Sequence, residues 1–348
     1  MRQSPTPLVL IAPRHKGFCV QPKVSIIIPT YNAQEYIARC LESCINQSLR
    51  EIEILIVDDC GSDDSIEIAK SYAMSDSRIR ILHNPRNLGT FHARQTGILE
   101  AKAEFCMFAD PDDYLALNAC EIAYRTITTH KTDMAHFCIA YKPKGYRIKP
   151  LVHKGRLEGD AMRYFLSAGN NLQSLCDKIY HKSVLLRALK ALEILSPPLK
   201  LHEDGLLVFV ASLESHSYFG TKDCIYYYCH NPNSITKSKT TQVVATKQSQ
   251  SDKLLDLLRH LEAKYPKHTA LLHIYQRKIA SALMMESRDF DIFVVYESML
   301  IAHKHNLHKN YDIPPYLKAM LLSLHYGFRW QSVVRIIVFI CSFGKLRL

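Results

Sequence analysis

The sequence predicts an α/β protein, a mostly parallel sheet with helices on both faces, followed by a helical C-terminal region. Three features carry this reading. Short branched apolar runs alternate with stretches of helical periodicity, which places four strands and their crossover helices between Val24 and Ala109. Two of these strands stop abruptly at aspartates, at the ends where open α/β sheets hold their ligands. Beyond Thr236 the strand signals cease and only helical patterns remain.

Residues 1–22, with Pro5, Pro7, Pro13 and Pro22, read as a loosely ordered leader. Val24 to Ile28 is a continuous branched run suited to a strand buried on both faces, ending at Pro29, Thr30, Tyr31 and Asn32. Ile37, Leu41, Cys44 and Ile45 then fall at helical spacing. The second strand, Ile52 to Val57, ends in Asp58 and Asp59, and Ser62 and Asp63 can cap the helix that carries Ile66 and Ala69. Arg78 to His83 is the third strand, a helix runs from Phe91 to Ala101, and Phe105 to Ala109 is the fourth strand. Tyr114 to His130 has a helical pattern and Met134 to Ala140 a strand pattern. The segment Lys142 to Lys154 is basic and broken by prolines and a glycine, which suits an exposed excursion. A short strand over Cys176 to Tyr180, a helix over Ser183 to Leu189, an apolar helix after Glu203 and Asp204, and a last strand over Cys224 to Cys229 complete this part. The expected division is a leader (1–22), an α/β domain (23–236) and a helical region (237–348).

Forty-four basic against 33 acidic residues give a formal charge of +11, which favours an anionic partner: nucleic acid, a membrane surface or a phosphorylated substrate. Nucleic acid is set aside, because no aromatic platform or known motif accompanies the charge. Eleven cysteines without a CxxC pair read as buried reduced thiols of a cytoplasmic protein. No apolar stretch is long enough to span a membrane, and the run Leu8 to Ala12 is too short for a signal-peptide core. The final piece, from Trp330 with Arg335, Lys345 and Arg347, is either a helix lying in a headgroup layer or a buried core helix.

The chemistry centres on FCMFADPDDYL, Phe105 to Leu115, where Asp110, Asp112 and Asp113 crowd one strand end. Like charges that close make sense around a hard divalent cation, and a metal on Asp112 with help from Asp110 would neutralise a diphosphate leaving group. Asp58 and Asp59 read either as acids favoured by a helix N-terminus or as acceptors for a base N–H, with Tyr31 stacking on the ring. Arg94 reads either as a surface charge or as a bidentate phosphate ligand. Glu203 and Asp204 are helix-capping acids or, beside a sugar donor, a general base. His303, His305 and His308, interleaved with lysines, read as a solvated basic face.

Taken in order, VSIIIPTYN, IVDDCGSDDS, NLGTFHARQTGI, FADPDDYL and HEDGLL resemble the inverting family 2 glycosyltransferases of GT-A fold, a Rossmann-like three-layer α/β/α arrangement with a mostly parallel mixed sheet. The likeness covers 24–236. ESCINQ, VDDCGSDDSI, DPDDYLALNACE and CHNPNSIT are similar to the bacterial lipo-oligosaccharide β-1,3-galactosyltransferases. The resemblance implies a UDP-sugar donor, UDP-galactose first, with Mn2+ or Mg2+. It implies that Pro29, Thr30, Tyr31 and the Asp58–Asp59 turn border the nucleotide, with Asp59 at the uracil and Arg94 at the nucleotide or its phosphates. Asp110 would serve the ribose or metal, Asp112 would be the main metal ligand, and Asp204 the base, with Glu203 the lesser candidate. The acceptor would be a surface glycan or glycolipid such as lipo-oligosaccharide, met at the inner face of the cytoplasmic membrane through peripheral contact by the C-terminal region. The chain departs from the pattern at Pro111, where relatives often carry a small residue, and at the basic segment from Lys142. Two alternatives stay open: another UDP-hexose or UDP-N-acetylhexosamine donor for capsule, O-antigen or glycoprotein glycan, and a non-catalytic membrane-surface glycan-binding module. A nucleotidylyltransferase or a dehydrogenase would need glycine-rich loops after the first strand, and PTYNAQEYI has none.

Overall fold

The computed structural model describes residues 21–142, 153–168, 174–193, 199, 202–231 and 241–287, with isolated positions beyond. Four parallel strands form its first half: β1 (Val24–Thr30), β2 (Ile52–Asp58), β3 (Ile79–His83) and β4 (Phe105–Phe108). Every residue of β1 and β4 is buried, as expected of uninterrupted apolar runs covered on both faces. Between them lie α1 (Ile37–Ile45), α2 (Ser65–Ser75) and α3 (Thr90–Glu100). The chain steps outward from β1 through β2 to β3, then returns past β1 to β4. Right-handed crossovers therefore put α1 and α2 on one face and α3 on the other. In α3, Gly97 faces β1 so closely that a Cβ there would lie 2.4 Å from Cγ2 of Ile27.

The second half is mixed. The strands β5 (Tyr114–Leu115), β6 (Met134–Lys142), β7 (Gly155–Glu158), β8 (Lys178–His181) and β9 (Ser217–Cys229) complete a nine-stranded sheet of order β3-β2-β1-β4-β8-β6-β9-β5, with β7 alongside β9. β8 is antiparallel to both β4 and β6, whereas β6 and β9 are parallel. The helices here are α4 (Ala119–His130), α5 (Gly159–Ala168), α6 (Lys182–Ala191) and α7 (Glu203–Glu214). This is the expected three-layer, mostly parallel mixed architecture. The C-terminal region continues as α8 (Thr241–Lys264) and α9 (Thr269–Ser287). It packs on α7, where the Phe209 and Tyr275 rings stack at 4.3 Å and the Tyr265 hydroxyl donates to Glu214 at 2.6 Å.

The β6–β9 pair shifts register twice between His136 and Ile139, and this irregularity bends the ribbon. The bend is required by the chain. Only residues 109–113 join β4 to β5, although the two strands stand four places apart in the sheet order. In a flat sheet that is about 19 Å at ~4.8 Å per strand, close to the full reach of five residues. Those residues also make a turn, with Asp113 N donating to the Asp110 carbonyl at 3.0 Å. The distal ribbon must therefore curl back over the strand ends.

Several local expectations change. The helix expected from Tyr114 begins only at Ala119, because Tyr114 and Leu115 pair with Tyr227 and Tyr226 of β9. β9 starts at Ser217 rather than Cys224, and β7 and α5 were not anticipated. Neither Ser62 nor Asp63 is the N-cap of α2: that position is Asp64, which makes no side-chain cap, while Asp63 accepts from Ser65 N at 3.1 Å and from Gln34 N at 2.8 Å, tying the turns after β1 and β2 together. Of the ten described cysteines none is in a disulfide, but Cys60 and Cys341 are exposed rather than buried. His305 is buried, not on a solvated face; His303 and His308, most of the Lys142–Lys154 segment and most of the final piece from Trp330 lie outside the described residues. Among the described residues no helix is long and apolar enough to cross a membrane.

Candidate active site

Parallel register brings the ends of β1, β2 and β4 to one edge: Thr30 is opposite Asp58, and Ile27 opposite Phe108. Pro29 and Thr30 belong to β1 and are buried, whereas the Tyr31 ring just beyond is 50% exposed. The turns after β1 and β2 touch. Asn32, at φ 48°, accepts Ser62 N at 2.8 Å, and a side chain at Gly61 would meet Asn32 N at 2.9 Å. Asp58 accepts Cys60 N at 2.9 Å and pairs with His83 at 2.9 Å. Asp59 is buried and holds the loop into α3, accepting from Asn84 Nδ2 (2.8 Å), Leu88 N (2.9 Å) and Gly89 N (2.8 Å).

Arg94 is the hub. Its place in α3, one turn before Gly97, buries it beneath the strand ends, where it donates to Asp110 at 2.8 Å and to Asp204, and lies 3.6 Å from Glu203. One guanidinium thus joins Asp110 to the candidate base, and these carboxylates hold it firmly protonated against its burial. Glu203 and Asp204 form the first turn of α7, where the helix dipole favours acids, rather than preceding it. Burial, then the Asp204 charge, pushes Glu203 up to about 8. Asp204 is also raised by burial, with Arg94 opposing, and accepts a hydrogen bond from Glu203. Burial thus raises both carboxyls, and Arg94, touching Asp204, opposes the rise there.

The acidic turn is held by a stretch more than a hundred residues away, the end of β9. Asp113 is buried and accepts the Tyr226 hydroxyl at 2.7 Å and Cys229 N at 2.6 Å; burial and the nearby Asp110 push it up to about 8. The same Tyr226 oxygen accepts Asp110 N at 3.1 Å. Asp112 accepts Asn231 Nδ2 at 2.9 Å, and its pKa is raised by burial and by Asp110. The second carboxylate oxygens of Asp110 and Asp112 have no protein partner among the described residues. Two hard, mutually repelling oxygen donors at a strand end fit Mn2+ or Mg2+. Another cluster, Asp252, Asp256 and His305, is already paired with Lys304, whose ammonium lies 2.9 Å from Asp252 and 3.1 Å from Asp256.

A cavity of about 410 Å3 opens between these groups, reached by Asp110, Asp113 and Asp204 and walled by Tyr141, Tyr226 and Tyr228. The structure thus gathers Arg94, Asp110, Glu203 and Asp204 at one place, with Asp112 on the same turn, and gives Asp59 a loop-holding role. Tyr226 and Asn231 were not singled out from sequence. Asn231 lies in the CHNPNSIT stretch, a signal that was available; nothing local distinguishes Tyr226 within CIYYYC.

Residues 25–189 match the family model described as "Glycosyl transferase family 2". The match covers a little under half of the chain, and these residues resemble a family 2 glycosyltransferase domain. Glycosyltransferase GlyG of Streptococcus pneumoniae is 34% identical over 111 residues, 32% of this chain and 37% of that protein. An uncharacterized glycosyltransferase, YibD of Escherichia coli K12, is 28% identical over 291 residues, 81% of this chain and 78% of its own. The chain spans about a third of the length of the first curated relatives it matches. Among solved structures, S. aureus TarS 1–349 in complex with UDP-GlcNAc is similar with a TM-score of 0.55 at 18% identity, over 87% of this chain and 91% of that one. The family 2 domain as matched contains Arg94 and the acidic turn; Glu203 and Asp204 follow it, in the same sheet assembly.

Proposed function

We propose that the protein is an inverting, metal-dependent glycosyltransferase that moves a sugar, galactose first, from a UDP-sugar to a hydroxyl of a bacterial surface glycan such as lipo-oligosaccharide. One observation carries the reading: Arg94 ties the acid-tipped end of β4 to the carboxylate pair at the start of α7 across one cavity. The donor would lie over Pro29, Thr30 and the exposed Tyr31, with the Asp58–Asp59 turn bordering the base. Asp110 and Asp112 would hold Mn2+ or Mg2+, which supplies charge neutralisation for the departing diphosphate. Asp204 accepts the proton of the acceptor hydroxyl; that oxygen attacks the anomeric carbon from the face opposite UDP, and configuration inverts. Arg94, touching Asp204, favours its charged form, the form that can accept the proton.

The complex of TarS with UDP-GlcNAc supports a UDP-sugar donor and makes UDP-N-acetylhexosamine the alternative to UDP-galactose. Peripheral contact with the inner face of the cytoplasmic membrane through the C-terminal region would bring a lipid-linked acceptor to the cavity. The test is a panel of UDP-sugars with a lipo-oligosaccharide acceptor and Mn2+, with the product linkage determined. Transfer with inversion from one donor supports the reading; donor binding without transfer to any acceptor, or no UDP binding at all, would replace it with the glycan-binding module.

A further inference from the structure

The helix that carries the candidate base is apolar all round. Every residue of α7 from Gly205 to Leu213 is buried, whereas a helix lying on a sheet with its other side in water needs only one apolar stripe. The C-terminal region meets this helix at three points. At its start, the N-cap residue His202 has φ 65° and ψ 5°, a left-handed conformation that residues other than glycine adopt at a cost. Such a conformation persists where the surroundings over-determine it. Here Ser251 of α8, itself buried, meets the His202 ring, Oγ to Nε2 at 3.4 Å. At the middle of α7, the Phe209 ring lies flat on Tyr275 of α9, their planes 4° apart. At its end, Glu214 accepts the hydroxyl of Tyr265, the residue that follows α8.

The first turn of α7 is therefore held from two elements. Arg94 of α3 grips Asp204, and Ser251 of α8 meets the residue just before Glu203. Tyr275 lies close enough to the acid pair that the Asp204 and Glu203 charges, after burial, raise its phenol. Its hydroxyl is buried without a hydrogen-bond partner, so Tyr275 acts on α7 through its ring.

We propose that α8 and α9 belong to the transfer machinery: Ser251 and Tyr275 are positioning residues that, through His202 and Phe209, seat α7 so that Asp204 meets Arg94 at the cavity. The assignment rests on the transferase reading above, in which Asp204 is the base. The donor side is built from other elements, β1, β2 and the turn after β4. A shift of α7 is therefore felt in turnover, while UDP still finds its place.

The test uses the full-length protein, with kcat measured on the panel of UDP-sugars and the lipo-oligosaccharide acceptor, and UDP binding in Mn2+ measured by titration calorimetry. Ser251→Ala combined with Tyr275→Leu, which keeps apolar volume but not the stack, should lower kcat by about tenfold or more, the scale on which a small displacement of a reacting group acts. UDP affinity should stay at the wild-type value. Tyr275→Phe keeps the ring and drops only the unpartnered hydroxyl, so it should transfer at the wild-type rate. If the double variant melts early, Ser251→Ala, the loss of one oxygen, is read alone and should lower kcat in the same direction. His273→Gln, at an exposed position of α9 two residues before Tyr275, should change neither quantity. Wild-type kcat in the folded double variant, a UDP affinity that falls in step with kcat, or Tyr275→Phe as slow as Tyr275→Leu would overturn the assignment. A wild type that transfers from no donor removes the transferase reading and this assignment with it; an active wild type with indifferent variants removes the assignment alone.

Discussion

Arg94 and Asp204 are joined by a charge-assisted hydrogen bond across 110 residues of sequence, and the other arm of the same guanidinium holds Asp110. The two halves of the candidate site are thus registered by one buried cation. Moving α3 would displace Asp110 and Asp204 together.

Arg94→Met should cost about 3 kcal/mol of stability, as removing one partner strands buried charges. Arg94→Lys keeps the charge but lacks the fork that spans two carboxylates, so it should recover part of the stability and little of the turnover. Denaturant midpoints and initial transfer rates from a UDP-sugar measure both; full activity in Arg94→Lys would show that the bridge is dispensable.

Glu203 sits at about 8 in the fold against an ordinary 4.5, so between those values the native state holds a proton that the unfolded chain has released. Its contribution is fully present below pH 4.5 and is lost as pH rises toward 8. Glu203→Gln should flatten this part of the stability profile. Urea midpoints at pH 5 and pH 8 for both proteins give the comparison, and parallel slopes would refute it.

Chelation with EDTA should abolish transfer and Mn2+ restore it. Asp112→Asn should raise the Mn2+ concentration needed for half-maximal rate by about tenfold, while the fold, in which Asp112 is only partly buried, keeps its melting temperature. An unchanged Mn2+ requirement would remove Asp112 from the metal.

Tyr226→Phe deletes the hydroxyl that accepts Asp110 N and donates to Asp113. It should destabilise by about 1–3 kcal/mol, the cost of stranding buried polar groups, and lower the transfer rate by loosening the acidic turn. Wild-type kinetics in this variant would make the contact purely structural.

Gly97→Ala would press a methyl group into Ile27. Overpacking of this kind costs about 1–3 kcal/mol, read as a lower melting temperature. Adding Ile27→Val should recover little of it, because valine keeps the Cβ, Cγ1 and Cγ2 atoms that the new methyl meets.

The parallel half of the fold was legible because runs such as VSIII, buried on both faces, have no competing helical reading. The acids at the strand ends were legible for the same reason. The bent half was not. Tyr114 and Leu115 look like the first turn of a helix until β9, more than a hundred residues later, claims them as a strand. Arg94 read locally as a surface charge or phosphate ligand; its burial among three acids depends on α7, whose approach no short-range pattern encodes. His305 misled similarly, since its partner Asp252 lies on a separate helix.

The five-residue connection between β4 and β5 leaves no slack. The same five residues that close the sheet around from β4 to β5 carry Asp110 and Asp112, so the position of both carboxylates depends on how the distal ribbon is seated. Two glycines inserted after Asp113 should therefore weaken Mn2+ binding while leaving the parallel half folded, read by Mn2+ titration and melting temperature.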